Sequence, residues 1–255
     1  MKVTFLGSGT STGVPVVTCD CEVCRSDDPR DRRLRPSIVM EWGEVSVLVD
    51  TSTDLRQQAL RHRLERVDAV LYTHHHADHI LGVDELRLYN WRQRGPVTVY
   101  GSAPTLDALR RTFWYVFDPD ESAGTRPMLN PRVIDSPFEL HGVTVVPVPV
   151  LHGRREILGY RLGRFAYLTD VSAIPSSSYP LLEKLDVLVL SALRPRPHRM
   201  HLSLEQALAE ASKIGARRTL LTHMSHEMPH REISGTLPGT VELAYDGLVV
   251  EVSEA

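Results

Sequence analysis

The chain has 255 residues, of which 42% are hydrophobic and 24% are charged, and its formal net charge is −3. This length suits one large domain or two small ones, and it can bury a sizeable core. The slightly acidic balance gives no overall basic surface for nucleic acid, and no apolar run approaches the roughly 18 residues of a membrane span. The short apolar start is not typical of a signal peptide, so we expect the protein in the cytoplasm.

A predicted strand at residues 3–6 runs into a glycine-rich segment at 7–15. That segment either brings backbone N–H groups close to an anion or simply turns the chain.

All three cysteines follow, namely Cys19, Cys21 and Cys24. An odd count at such close spacing argues against a disulfide framework and for a reducing compartment. Three thiolates on one loop can bind zinc if a fourth ligand arrives from elsewhere.

Residues 36–40 and 45–49 are predicted to form two strands of a meander, and residues 54–65 a helix. Asp50 lies directly after the second strand. It either hydrogen-bonds to a metal ligand without binding the metal itself, or caps the helix that follows.

A buried strand predicted at 67–72 leads into four histidines and one aspartate within residues 73–79. Imidazole nitrogens and carboxylate oxygens bind zinc, iron or manganese. A tight turn can direct His74 and His76 to one ion, and Asp78 and His79 to another. Ligands at the end of a rigid strand suit a catalytic metal site. His75, between two of these residues, is expected to point away and to tolerate substitution.

Further elements alternate along the second half of the chain. Helices are predicted at 84–93, at 104–111 and from residue 203, and strands at 97–100, 143–150, 157–162, 165–168, 185–190 and 218–221. The stretch 118–131, with three prolines, is predicted to be a surface excursion. Pro147 and Pro149 place the second half of their strand on an edge or in an irregular ladder. The pattern favours α/β layers, with two sheets between helices.

Three of these strands end in the metal-binding residue types His152, Asp170 and His223. A first ion would be held by His74, His76 and His152, and a second by Asp78, His79 and His223. Asp170 could bridge both ions, because a carboxylate has two oxygens. Two ions about 3.5–4 Å apart can hold a bridging hydroxide and polarise a phosphoryl oxygen.

An arginine-rich loop at 194–201 precedes the capping box that begins at Ser203. His201 therefore lies just before the start of a helix. Four arginines are candidates to neutralise substrate phosphate, although a solvated surface charge is the favoured alternative for each: Arg87, Arg194, Arg196 and Arg199.

The order His74-x-His76-x-Asp78-His79, then His152, Asp170 and His223, resembles the metallo-β-lactamase superfamily over essentially the whole chain. The resemblance implies a single domain over 1–255 with an α/β fold, an αββα sandwich of two mixed β-sheets flanked by helices. It also implies a dinuclear site at the sheet edge. The Asp78-His79 pair resembles the phosphodiesterase branches more than the true lactamases.

The cysteine trio and the segment around His223 and His226 resemble the phosphoribosyl 1,2-cyclic phosphate phosphodiesterases of phosphonate catabolism. That resemblance implies a structural zinc at Cys19, Cys21, Cys24 and His226, and two divalent ions, zinc or manganese, in the active site. It also implies that His201 transfers a proton, with His198 as its rival. Asp78 and His201 are therefore the expected catalytic residues. The same trio resembles the pyrroloquinoline quinone biosynthesis branch, so it does not fix the substrate.

We therefore expect a metal-dependent phosphodiesterase that hydrolyses a small cyclic or diester phosphate through a hydroxide held by two metal ions. One alternative is a tRNase Z-like RNA-processing nuclease, which would want a basic arm that is not evident here. Others are a thioester or lactone hydrolase and a non-hydrolytic pyrroloquinoline quinone biosynthesis helper. The expected partner is a small phosphate ester; membrane and nucleic acid are not expected. Related enzymes are often dimers, so a homodimer is one alternative for the oligomeric state.

Overall fold

The computed structural model of the protein describes residues 1–118 and 126–253. Its strands are β1 Lys2–Gly7, β2 Ser37–Trp42, β3 Val45–Val49, β4 Ala69–Leu71, β5 Val97–Gly101, β6 Leu129–Val133, β7 Phe138–Leu140, β8 Val143–His152, β9 Arg155–Leu162, β10 Phe165–Leu168, β11 Val187–Ser191, β12 Arg218–Thr222, β13 Val241–Leu243 and β14 Val249–Glu251. Its α-helices are α1 Leu55–His62, α2 Ala77–Ile80, α3 Leu86–Gln93, α4 Ala103–Thr112, α5 Trp114–Phe117, α6 Leu204–Ile214 and α7 His230–Ser234. Short 3₁₀ helices lie at Pro29–Asp31, Val83–Glu85 and Ser176–Leu182.

The strands form two mixed sheets of seven strands each. The first has the order β14-β1-β2-β3-β4-β5-β6, and the second the order β13-β12-β11-β10-β9-β8-β7. Each sheet joins an antiparallel part to a parallel part, because β3 to β6 pair in parallel and so do β10 to β13. Parallel strands end at the same edge of a sheet, so the residues that follow them are brought together.

Three apolar clusters define the layers. One lies between the sheets and takes Phe5 and Met40 from the first sheet and Tyr160 and Phe165 from the second. Another packs α6 against the outer face of the second sheet, and the third packs α1, α3 and α4 against the first. The predicted αββα sandwich is therefore confirmed. No helix within the two described ranges is long and apolar enough to cross a membrane.

Local signals explain most element boundaries. The Ser203 hydroxyl accepts a hydrogen bond from the backbone N–H of Gln206, and the Ser203 backbone N–H donates one to Oε1 of Gln206, so α6 starts at the predicted capping box. Gly215 closes the helix in the left-handed conformation, with φ +68°. Beyond Val145, β8 pairs continuously with β9 alone, which places Pro147 and Pro149 on the edge portion as expected.

The predicted surface excursion at 118–131 was wrong in its last part. Residues 129–131 belong to β6, which pairs in parallel with β5. Its sequence, Leu-Asn-Pro-Arg-Val, lacks the alternation of apolar and polar residues that indicates a strand. The reason is that β6 lies at the edge of the sheet, where none of its side chains is fully buried. Residues 119–125 of the same prediction lie outside the described ranges.

The glycine-rich segment at 7–15 turns the chain. Its amides are already engaged: Ser8 donates to the carboxylate of Asp246, Gly9 to the carbonyl of Leu34, and Thr10 to the carbonyl of Met224. A Cβ at Gly7 would lie 2.0 Å from the Arg35 carbonyl oxygen. Close backbone packing therefore accounts for the glycine, and the engaged amides leave no anion cradle at these three positions.

Candidate metal centre

Four strand ends converge on one edge of the sandwich. The loop 73–79 follows β4, His152 ends β8, Asp170 follows β10 and His223 follows β12. The two sheets are joined there by direct hydrogen bonds, because Tyr160 donates its hydroxyl proton to the Tyr72 carbonyl at 2.6 Å. The site therefore rests on a rigid frame drawn from both sheets.

Three site residues share an unusual backbone conformation. Asp50 and His223 come directly after a strand and Asp170 comes two residues after one, and their φ angles are 62°, 58° and 58° for Asp50, Asp170 and His223. A left-handed residue turns the chain sharply at the strand end, and non-glycine residues adopt it at some energetic cost. Each of the three side chains is buried beside the others of the site, so packing and hydrogen bonds hold this conformation.

The structure brings together all seven side chains expected at the histidine site. Three-residue groups whose ligand atoms lie within 4.8 Å of one another are His74, His76, His152; Asp78, His79, His223; and His74, His79, Asp170. Asp170 lies near both of the first two groups. Its Oδ2 is 3.2 Å from Nε2 of His79 and its Oδ1 is 3.1 Å from Nε2 of His223, both in the second group. It also shares the third group with His74, and a further group with His152 and His201, so it reaches two histidines of the first group. This is the central position expected for a bridging carboxylate.

Hydrogen bonds fix which ring nitrogen faces the centre. Nδ1 of His79 donates to Asp50 at 2.7 Å, and Nδ1 of His152 donates to the carbonyl of Asp170 at 2.8 Å. The Thr73 hydroxyl donates to Asp50, so it accepts from Nδ1 of His74. Nε2 of His74, His79 and His223 is buried without a hydrogen-bond partner in the described chain. Buried, unpaired nitrogens that face carboxylates fit a metal ion.

The charges of the centre favour a cation. Burial alone would lower the pKa of His79, but the carboxylates of Asp78, Asp170 and Asp50 outweigh it and raise that pKa well above the usual range. Burial likewise opposes ionisation of Asp170, yet His223 and His79 hold its pKa well below normal. Three carboxylates around a few imidazoles thus favour positive charge, which a divalent ion supplies.

The three cysteines and His226 form a second candidate metal site. Nδ1 of His226 lies 3.2 Å from Sγ of Cys19, 3.4 Å from Sγ of Cys21 and 3.5 Å from Sγ of Cys24. A tetrahedral zinc with bonds of about 2.3 Å to sulfur and 2.0 Å to nitrogen places these atoms about 3.5 Å apart. The four residues therefore have the spacing of a structural zinc site.

Arg33 connects the two candidate sites, and no motif in the sequence predicted this role. Its guanidinium is fully buried and donates to the carbonyls of Ser225 and Met228 at 2.9 and 2.5 Å. It also pairs with Asp31 at 2.9 Å. The loop after His223 is therefore anchored to the cysteine segment both by His226 and by this arginine.

His201 lies beside the histidine centre. Its Nδ1 is 3.8 Å from Oδ1 of Asp170, and its ring stacks on that of His223 at 5.0 Å between centroids. His198 lies one layer further out, stacked on His201 at 5.2 Å and exposed. Burial is the main reason that the pKa of His201 is lowered to about 3.

The predicted arginines differ in position. Arg194 and Arg196 both pair with Glu227, at 3.3 and 2.8 Å, and Arg87 pairs with Asp84 at 3.1 Å. Of the four, Arg194 and Arg199 line the cavity beside His76 and His152.

Arg154 and Arg155 line the same cavity and were not among the predicted residues. Their position directly after His152-Gly153 was the available signal.

Two other expectations concerned neighbours of the ligands. Asp50 accepts a hydrogen bond from Nδ1 of His79, which confirms the alternative that it orients a candidate metal ligand. It does not cap the following helix, because Asp54 occupies the N-cap position of α1, without a side-chain cap bond. His75 belongs to none of the ligand groups, but its Nε2 accepts a hydrogen bond from Arg155 at 2.9 Å.

Comparisons with known proteins agree with this architecture. The family model described as the beta-lactamase superfamily domain matches residues 46–224. An octanoyltransferase from Porphyromonas gingivalis is 40% identical over 260 residues, which cover 100% of this chain and 52% of that protein. The chain thus spans about half the length of that relative.

Solved structures of other proteins are also similar to this chain. A diphosphatase from the PhnP family is 43% identical with a TM-score of 0.93, covering 99% of this chain and 98% of that chain. Zinc-bound PqqB from Methylobacterium extorquens is 20% identical with a TM-score of 0.79, covering 99% and 100%, and shares the fold. The chain therefore belongs to the metallo-β-lactamase superfamily, in its PhnP-like branch.

Proposed function

We propose that the protein is a phosphodiesterase that hydrolyses small cyclic or diester phosphates, including diesters of diphosphate. The observation that carries this proposal is the placement of Asp170 near both three-residue ligand groups. A pair of divalent ions is suited to phosphoryl transfer, because it contacts the attacking and the leaving oxygens together. The 43% identical diphosphatase of the PhnP family supports the same class of substrate.

In this proposal His74, His76 and His152 would hold one ion, and Asp78, His79 and His223 would hold the other. Asp170 lies near both groups and would be available to each ion. When bound, zinc or manganese ions would lower the pKa of water and neutralise phosphate charge. Asp50 and the carbonyl of Asp170 keep His79 and His152 in the tautomer that presents Nε2. Cys19, Cys21, Cys24 and His226 hold a separate structural zinc that contributes to folding.

His201 is the proposed proton donor to the leaving group. Hydrolysis forms a bond from the water oxygen to phosphorus and breaks the bond to the leaving oxygen, which must gain a proton. The ring faces the centre beside Asp170 and is only 13% exposed. With its pKa lowered to about 3 by burial, the ring is neutral at pH 7 in the free protein. A bound phosphodiester anion next to it raises that pKa and so favours the protonated form.

A substrate panel tests this function. The metal-loaded protein would be assayed with a ribose cyclic phosphate, a 2′,3′-cyclic nucleotide, a linear diester, a diphosphate diester, precursor tRNA, a thioester and a lactone. We expect turnover of small phosphates and none of precursor tRNA, thioester or lactone. Hydrolysis confined to one of the last three classes would contradict the proposal.

A further inference from the structure

The loop 194–201 carries His201 and is closed at its base by the backbone. Leu193 donates a hydrogen bond to the carbonyl of Leu202 at 3.0 Å, which joins the two ends of the loop. Between these ends, residues 195–201 make no backbone-to-backbone hydrogen bond with any residue that the structure describes. The shape of the loop therefore depends on its side chains.

Two arginines of this loop meet one carboxylate. Nε and Nη2 of Arg196 both donate to Oε2 of Glu227, at 3.0 and 2.8 Å, and Nη1 of Arg194 donates to Oε1 at 3.3 Å. Arg194 also donates to carbonyls within the loop, those of Arg196 at 3.4 Å and Pro197 at 3.2 Å. Each oxygen of Glu227 thus holds one arginine, and the carboxylate joins the start of the loop to its middle.

The backbone of Glu227 lies in a turn after β12 that is itself held in place. Its N–H donates to the hydroxyl of Ser225 at 3.2 Å, and Nδ1 of the neighbouring His226 lies within 3.5 Å of the three cysteine sulfurs. The buried Arg33 donates to the carbonyls of Ser225 and Met228, one on each side of Glu227. The carboxylate is therefore presented from a fixed support.

His201 has little to fix its ring except the loop that carries it. Its Nδ1 is buried without a hydrogen-bond partner in the described chain. The rings of His152, His223 and His198 surround it, with centroids at 4.8, 5.0 and 5.2 Å. Ring contacts are less directional than hydrogen bonds, so the position of this ring follows the backbone of the loop.

We propose that Glu227 is a positioning residue for His201, because its ion pairs hold the loop 194–201 against the metal centre. The inference rests on the proposed function, in which His201 donates a proton to the leaving group. Glu227 does not line the cavity beside the centre, so it acts through the loop and not on the substrate. Its side chain is only 26% exposed and binds two arginines at once, and such a network contributes more than an isolated surface pair.

Limited proteolysis reports on the loop without reference to catalysis. The bonds after Arg194 and Arg196 precede proline and resist trypsin, so within the loop trypsin cuts only after Arg199. In the metal-loaded Glu227→Gln variant we expect this cleavage to be about 5-fold to 10-fold faster, because its rate follows the fraction of molecules in which the loop is open. Mass spectrometry of the fragments measures the rate.

Kinetics with two leaving groups test the link to His201. For a diester with an alkyl leaving group, Glu227→Gln should lower kcat about 5-fold to 10-fold and change KM by less than about twofold. With p-nitrophenol as leaving group the loss should be smaller, because that oxygen needs less help from a proton. In the His201→Ala background, Glu227→Gln should cause no further loss, because the residue that it positions is gone.

Two further variants serve as controls. Glu227→Asp keeps the negative charge and should retain kcat within about threefold of the wild-type value. Glu242→Gln removes an ion pair of 2.7 Å that joins β13 to Arg218 of β12, and it should leave both the cleavage rate and kcat unchanged. Metal content, measured on every variant, separates these effects from a damaged centre.

Three results would overturn the inference while leaving the phosphodiesterase proposal intact. They are an unchanged rate of cleavage after Arg199, an equal loss of kcat for both leaving groups, and a loss of kcat that persists in the His201→Ala background. If the wild-type protein hydrolyses neither diester, the proposed function itself fails.

Discussion

The carboxylate of Asp50 engages three donors of the metal loop. It accepts from the backbone N–H of Thr73 at 2.8 Å, from the hydroxyl of Thr73 at 2.7 Å and from Nδ1 of His79 at 2.7 Å. Through Thr73 it also reaches Nδ1 of His74. One buried side chain therefore sets the orientation of rings that belong to different ligand groups.

Asp50→Asn should weaken metal binding without removing a ligand. The amide would present N–H donors where three donors already converge, so the tautomer of His79 is no longer fixed. We expect the affinity of the histidine centre for zinc to fall about 10-fold to 100-fold, measured by competition with a chromophoric chelator. Asp54→Asn is the control, because that carboxylate pairs with Arg35 away from the centre. Wild-type affinity in the Asp50 variant would contradict this role.

His201→Ala should separate catalysis from metal binding. Metal content should match the wild type, while kcat for a diester with an alkyl leaving group falls about 100-fold or more. With p-nitrophenol as leaving group the loss should be smaller, because that oxygen needs less help from a proton. His198→Ala, one layer further from the centre, should have a minor effect. An equal loss for both leaving groups would rule out proton donation.

For individual residues, roles that follow from residue type were predictable from the sequence. Roles that depend on where the fold places a residue were harder to predict. The seven residues of the histidine centre and the cysteine trio could be singled out as candidate ligands, because histidine, aspartate and cysteine at strand ends and at close spacing are uncommon without a metal. Asp50 stayed ambiguous, since a carboxylate after a strand also suits a helix cap. Arg33 and Arg154 were missed, because arginine is mostly a surface residue and its burial or isolation depends on distant partners.

The cysteine segment and the loop after β12 act as one element. His226 contributes to the thiolate cluster three residues after the ligand His223, and Arg33 bonds to carbonyls of the same loop. Thr10 also donates to the Met224 carbonyl, and Met224 donates to that of Ser8. The position of His223 therefore depends on contacts from the first 33 residues of the chain.

Cys21→Ser should lower both stability and active-site metal affinity. The loss of a thiolate should remove the structural zinc and lower Tm by roughly 5–10 °C, because zinc binding contributes to folding free energy. The looser loop should also weaken metal binding at His223. Thr12→Ala, an exposed change in the neighbouring glycine-rich segment, should leave both properties unchanged. Calorimetry and metal analysis would check this, and wild-type Tm with full zinc in Cys21→Ser would contradict it.

Elements with strong local signals were predicted within a few residues, and elements that depend on a neighbour were missed. The helix α6 has a capping box and a closing glycine, so its bounds followed from local chemistry. The strand β6 contains Asn130, Pro131 and Arg132, and its pairing with β5 provides the main reason for its conformation. The glycine-rich segment could not be assigned from sequence, because its amide partners include Met224 and Asp246, far along the chain.

At the scale of the whole molecule, Asp246 joins the two ends of the chain. Its Oδ1 accepts from the backbone and hydroxyl of Ser8, both at 2.9 Å, and its Oδ2 accepts from Leu34 at 2.7 Å. Burial outweighs these bonds and raises its pKa to about 6. Because the folded state binds this proton more tightly than the unfolded chain, the group stabilises the fold at low pH. That contribution is lost as pH rises through about 6.

Asp246→Asn should therefore change the pH dependence of stability. The amide cannot accept all three hydrogen bonds, so the variant is less stable than the wild type at both pH values. Its deficit should shrink by about 1 kcal/mol between about pH 5 and about pH 8, because only the wild type loses the contribution of this proton. Urea unfolding at the two pH values measures this difference, and a deficit that stays constant would contradict the assigned titration.

The sandwich as a whole was predicted through the order of its metal ligands, which is shared with a superfamily. Composition and periodicity alone favoured layers of helices around two sheets. They did not specify that β1 pairs with β14 or that Tyr160 bonds to the Tyr72 carbonyl across the sheets. Such contacts join residues far apart in sequence, and local propensity carries no information about them.

We propose that two adjacent ions, held by seven residues around Asp170, enable the hydrolysis of a phosphodiester. Metal-free protein should be titrated with zinc or manganese while hydrolysis of bis(p-nitrophenyl) phosphate and bound metal are measured together. We expect the thiolate site to fill without activity, and hydrolysis to rise with the next equivalents and level off at about three per chain. Full activity with only one ion at the histidine centre, or no hydrolysis at any loading, would contradict the claim.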